Sequence, residues 1–142
     1  MNPNHAPASL RRRLGSLLYE SLLTFSLLLV GFWIPQSLLL AAGIALPRVV
    51  LWVHVFLLLL SYHLGFWLKT GQTLPMKTWK LRLINSEAAP LRPAQALLRF
   101  LAAWPSILCF GIGLLWACVD RDRQFLHDRI AGTRIIVLDK AD

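Results

Sequence analysis

The chain has 142 residues, 56% of them hydrophobic, and a mean hydropathy of +0.56, which is too apolar for an ordinary soluble domain of this size and reads as a small integral membrane protein. Its net charge of +8, from 15 Lys and Arg against 7 Asp and Glu, would also suit a nucleic-acid binder. The basic residues flank apolar runs, however, as the positive-inside rule requires, so no nucleic-acid partner is expected.

Residues 1–10 contain Pro3 and Pro7 and read as a disordered lead-in. Arg11, Arg12 and Arg13 then stand at the mouth of an apolar segment at about 17–38, long enough to span a bilayer and starting in the cytoplasm. The run is far longer than a signal-peptide core, so cleavage near Ala41-Ala42-Gly43 is not expected and the helix stays as an anchor. Glu20 interrupts it. It lies about 10 Å beyond Arg13 along a helix and two turns on, so the two share a face. A carboxylate at that depth costs on the order of 2.5–3.5 kcal/mol unless paired or protonated, and its face should turn toward protein. Trp33 and Pro35 fall at the far interface, and residues 36–48 form an apolar connector that in part continues the helix.

A second apolar segment, 49–68, carries Trp52 near one end and Trp67 and Lys69 near the other, and returns the chain to the cytoplasm. His54 and His63 are half a turn out of phase, which places their rings on opposite sides of one helix and argues against a shared metal. Each reads first as a packed or interfacial polar side chain and second as part of a proton path. Residues 70–93 form a basic loop, with Lys77, Lys80, Arg82 and Arg92 against Glu87. Within it, 78–84 alternates with the period of a strand, and Asn85-Ser86-Glu87 reads as a turn. A second strand-like run, 133–138, is a candidate to pair with the first.

Between these runs lies a third apolar segment, 100–119, opened by Arg99 and closed by Asp120-Arg121-Asp122-Arg123. A single crossing fits the length without strain and is the favoured reading, although it leaves a basic tail outside. A re-entrant hairpin, broken at Pro105 or at Gly111 and Gly113, would keep both strand-like runs in the cytoplasm, and their pairing requires it. Cys109 and Cys118 lie within this segment with no metal-ligand spacing and read as small apolar fillers.

These fragments, in this order, resemble the RDD family of small bacterial membrane proteins, named for an arginine at the start of the first helix, an aspartate within it and a second aspartate near the end. The resemblance covers about residues 10–138. Arg12-Arg13-Leu14 followed by Glu20 is similar to the first part of the motif, with Arg13 the better match for its arginine. Gly71-Gln72-Thr73-Leu74 with Trp79-Lys80-Leu81-Arg82-Leu83 resembles the family's glycine–threonine loop and following strand. Ala96-Leu97-Leu98-Arg99 resembles the opening of its last apolar segment. His127-Asp128-Arg129 with Gly132-Thr133 resembles the closing motif, which makes Asp128 the second aspartate. The chain departs from the pattern at Glu20, which keeps the charge but lengthens the reach, and at Pro75, where a turn needing positive φ cannot form. The family's default assignment has been transport of unidentified ligands.

The expected fold is therefore an all-α integral membrane protein with two full transmembrane helices, a third segment that spans or re-enters, and a small β-rich cytoplasmic part. It forms one membrane domain over 11–138, with a cytoplasmic loop at 70–93 and a closing motif at 120–138. The candidate functional cluster is Arg13, Glu20, Arg99 and Asp128, with Arg99 the inter-helix partner for Glu20. His54, His63, His127, Gly71 and Thr73 are secondary candidates. The leading reading is a transport or ion-handling component of the bacterial inner membrane, multi-pass with its amino terminus inside, acting as an oligomer or with a membrane partner. The alternative is a scaffold or assembly factor whose basic patch meets lipid or protein. No cofactor, metal or enzymatic activity is expected, since His127-Asp128 has no accompanying nucleophile and neighbours in sequence point in different directions.

Overall fold

A computed structural model describes residues 8–108, 115–116, 119–120 and 124–138 of the chain. Cys109, Cys118, Gly111, Gly113, Arg121, Asp122 and Arg123, together with residues 1–7, fall outside the described residues.

The first apolar segment folds as one 32-residue helix, α1 (Leu10–Ala41), longer at both ends than the apolar run itself. The three arginines are good helix formers and extend it backward. Pro35 lies inside it, and its ring and missing N–H are incompatible with a regular turn onto the Gly31 carbonyl. The helix accommodates the proline by widening to a π turn over Leu29–Trp33, with Ile34 N–H reaching back to the Leu29 carbonyl. At its end Gly43 takes a φ of 79°, and Ile44 N–H closes on Leu39 O at 2.9 Å.

Helix α2 (Arg48–Thr70) has 23 residues, about 34 Å at the ideal rise, which matches a bilayer core. Among the described residues, α1 and α2 are the two helices long and apolar enough to cross a membrane. They approach closely at Gly31, where a Cβ would stand 2.9 Å from Leu58 Cδ2. A short helix, α3 (Leu74–Thr78), follows, with Pro75 in its first turn, where a fixed φ and a missing N–H cost little. The departure at Pro75 is thereby absorbed into a helix start. Trp79 then lays its indole over Gly15 of α1, where a Cβ would lie 2.6 Å from Cζ2.

Strands β1 (Leu81–Asn85) and β2 (Thr133–Val137) pair antiparallel, Leu83 opposite Ile135. The first strand begins later than the alternation implied, because Thr78 ends α3 and Lys80, at φ 52°, turns the chain into the strand. Asn85 Oδ1 then accepts the N–H groups of Glu87 and Ala89 at 2.9 and 2.7 Å, which makes the expected turn. Both outer edges of the ribbon are covered. On β1, Leu83 N–H donates to Gly71 O at 2.8 Å and Gln72 Nε2 donates to Leu81 O at 2.6 Å. On β2, Ile135 O accepts from Ala8 N–H and from Arg13 Nη2, each at 3.3 Å. A two-stranded ribbon is marginal alone, so these contacts, and the packing of Leu81, Leu83 and Ile135 into the core with Met76, Leu91 and Ala96, hold it in place.

Helix α4 (Pro93–Leu108) lies along α2, its Phe100 ring 5.6 Å from Phe56 and 5.7 Å from His63. The short helix α5 (Leu126–Ile130) leads into β2. Among the described residues the molecule is thus mostly helical, with a small β1–β2 sheet that ties the start of α1 and the end of α2 to one another.

Candidate functional site

The polar residues inside this frame form two connected groups. The first surrounds Asp128, which α5 holds at 0% exposure. Its carboxylate makes an ion pair with Arg99 Nη1 of α4. The same nitrogen donates to Thr133 Oγ1 at 3.2 Å, and the guanidinium lies 5.0 Å from the centroid of the Trp67 ring of α2. Thr133 Oγ1 in turn donates to Asp128 O at 3.3 Å. Arg99 therefore joins four elements, α4, α5, β2 and α2. Eight residues earlier in the chain, Asp120 accepts from Gln124 N–H at 3.0 Å and pairs with Arg129.

His127 stacks on Phe125, with ring centroids 5.5 Å apart, and its Nε2 lies 3.6 Å from Asp128 Oδ1. Burial, and after it the Arg99 guanidinium, push its pKa down to about 3. In the unfolded chain the ring regains an ordinary pKa of about 6.5, so between those values the unfolded state binds the extra proton. The stability that His127 contributes is therefore complete above pH 6.5 and is lost as the pH falls below it. In detergent, the melting temperature of the wild type is expected to fall from pH 7 to pH 5 more steeply than that of His127→Asn. Parallel curves would contradict a neutral buried ring.

The second group surrounds Glu20 of α1. Thr73 Oγ1, in the loop after α2, donates to Glu20 Oε2. His63 Nε2 of α2 lies 3.8 Å from Glu20 Oε1, and Tyr62 is in electrostatic range of the same carboxylate. The two groups are joined through aromatic rings, with His63 5.1 Å from Trp67, the ring beneath Arg99. Arg13 is only 2% exposed and is held at the start of α1 by its bond to Ile135 O, with Asp120 in electrostatic range.

The geometry corrects one of the sequence readings. Arg99 closes its ion pair on Asp128, whereas Glu20 accepts from Thr73 Oγ1 and faces His63 of α2. His54 and His63 both touch α1 despite their phase. His54 Nδ1 is 3.0 Å from Gln36 Nε2 and its ring 5.5 Å from Phe32, while His63 reaches Glu20. Positions on either flank of an interhelical seam can both reach the neighbouring helix, and 180° of phase allows that.

Gly71 supports both groups. Its φ of 68° ends α2, its carbonyl anchors β1, and it aims Thr73 at Glu20. Tyr62 was not singled out from sequence, although a phenol beside a histidine in an apolar run is the kind of signal that marks such a place. The bond from Arg13 to a strand carbonyl had no side-chain signal to find. Among the described residues no group of His, Cys, Asp and Glu is arranged to hold a metal ion.

A pair of long apolar helices, with buried charges gathered at one end under a small ribbon, defines a small helical membrane protein. The chain belongs to the RDD family, whose model matches residues 7–132. It is also 34% identical over 82 residues to Uncharacterized protein RP437 of Rickettsia prowazekii (strain Madrid E), a match covering 56% of this chain and 44% of that protein. The chain therefore spans less than half the length of that curated relative. No solved structure matches the chain.

Proposed function

We propose that the protein is a transport or ion-handling component of a bacterial inner membrane, acting as an oligomer or with a membrane partner. The observation that carries this reading is Glu20: a carboxylate within a candidate span, set among Thr73, Tyr62 and His63. Its burial is a cost on the order of 2.5–3.5 kcal/mol that a purely structural helix would avoid, and such residues by default mark ion pathways. Two or three helices make a thin wall, which is why several copies or a partner are needed. No enzymatic role or cofactor is proposed.

The test is flux. Vesicles reconstituted with the full chain and loaded with a pH-sensitive dye should dissipate an imposed proton gradient faster than empty ones. Glu20→Gln is expected to reduce the excess rate about tenfold or more while the protein still elutes as a folded species. Unchanged flux in that variant would end the transport reading. The second reading, a scaffold for anionic lipid heads or a protein, is supported by the exposed Arg11, Arg12, Lys77, Lys80 and Arg82 near the ribbon.

The same basic residues support an amino terminus and 70–93 loop in the cytoplasm, as a multi-pass topology requires. Pairing of β1 with β2 puts both ends of the intervening segment beside one sheet, which favours re-entry of 100–119 over the single crossing. Cysteines at position 87 and after Asp142 should both resist an impermeant thiol reagent in intact cells. Labelling at position 87 would reverse the orientation, and labelling after Asp142 alone would restore the single crossing.

A further inference from the structure

Glu20 Oε1 and His63 Nε2 face each other at 3.8 Å, and the other ring nitrogen decides what lies between them. His63 Nδ1 is 2.9 Å from the carbonyl oxygen of Leu59, an atom that can only accept, so Nδ1 carries a hydrogen. In the neutral ring of that tautomer, Nε2 holds a lone pair and no hydrogen. Left so, it would direct that lone pair at an ionised carboxylate oxygen, between side chains only 17% and 15% exposed. One proton removes the conflict, whether it rests on the nitrogen or on the oxygen.

The neighbouring groups make one proton the right number. Thr73 already donates to Oε2, and Tyr62, on the same helix as His63, brings a neutral phenol. Arg99 of α4 is in electrostatic range of Glu20 and His63, but its contact is with Asp128. Arg13 of α1 is bonded to Ile135 O and has Asp120 within range. With one proton the Glu20–His63 pair is neutral overall. With none it is an anion and with two a cation, either of which a low-dielectric helix pair disfavours.

We propose that Glu20 and His63 hold a single exchangeable proton between them, forming a proton-binding site that spans α1 and α2. The partner of the family's intramembrane carboxylate position is then a histidine of the second helix, with Thr73 and Tyr62 as positioning residues. The site stands on this geometry alone. Only the further step, that the proton is the ion the protein handles, rests on the transport reading.

The test is difference infrared spectroscopy of the full chain in lipid nanodiscs, with isotope-labelled histidine and glutamate and bands assigned through Glu20→Gln and His63→Gln. At pH 7 the wild type is expected to show one protonated member of the pair, either imidazolium at His63 or carboxylic acid at Glu20, with His63 Nδ1 protonated. An ionised Glu20 facing a neutral His63, or both members protonated, would overturn the proposal. In Glu20→Gln the site's affinity for its proton should drop at least tenfold, one pH unit, because the second acceptor is gone. A drop of less than threefold would also overturn it. If Glu20→Gln does not fold, the wild-type spectrum alone decides. A wild type that holds the proton but shows no flux ends the transport reading and leaves the site. Intact, Glu20-dependent flux from a pair that holds no proton ends the site and leaves the transport reading.

Discussion

Asp128→Asn is expected to lower the stability of the detergent-solubilised protein by about 3–5 kcal/mol, the usual cost of removing one member of a buried ion pair. The reason lies in what remains. Arg99 is 6% exposed, and without the carboxylate its contacts among the described residues are Thr133 Oγ1 and the face of Trp67, with Glu20 in electrostatic range. An amide in place of the carboxylate can turn a hydrogen toward the guanidinium, which adds repulsion to the lost charge. Arg99→Gln should cost a similar amount by leaving the fully enclosed Asp128 carboxyl without its cation. The double variant should cost clearly less than the sum, since two neutral amides can bond to each other. Additive losses, measured as melting or denaturant midpoints, would mean that the two residues do not act as a pair.

The second large effect is expected at Gly71→Ala. A left-handed backbone costs an alanine about 1–2 kcal/mol by itself. At this position the new Cβ would also stand 2.9 Å from the Leu83 carbonyl oxygen, a backbone atom of the ribbon that cannot swing aside. Gly43→Ala provides the control, since its φ of 79° imposes comparable strain with nothing within 4 Å. The excess loss in Gly71→Ala over Gly43→Ala therefore reads the contact between the helix cap and β1. Equal losses would show that the ribbon gives way and that the loop does not fix Thr73.

The two long helices were legible from sequence, because apolar length and arginine placement are properties of a single segment, but their limits were less so: α1 runs Leu10–Ala41 where the apolar run suggested 17–38, and α4 begins at Pro93 where the third segment was expected from 100. Glu20 was legible for the same reason, being costly wherever it ends up. Partner choice was less so. Whether Arg99 meets Glu20 or Asp128 depends on how α5 and β2 fold back over α4, which no local pattern encodes. His63 shows the same limit: helical phase placed its ring relative to His54, but the position of α1 beside α2 decided that both rings face that helix. The strand boundaries shifted because Pro75 starts a helix that uses the first residues of the alternation, a competition between two local preferences that periodicity alone does not weigh.

The bond from Arg13 to the Ile135 carbonyl joins residues 122 positions apart in the chain. At ribosomal speeds of roughly 5–20 residues per second, about 6–24 s pass between the synthesis of the donor and that of its acceptor. Until β2 has been made, the start of the first helix lacks this tie to the ribbon. A ribosome that stops before β2 leaves Arg13 without this acceptor and the rim of β1 open, two features that set such a product apart from one in which the ribbon has formed.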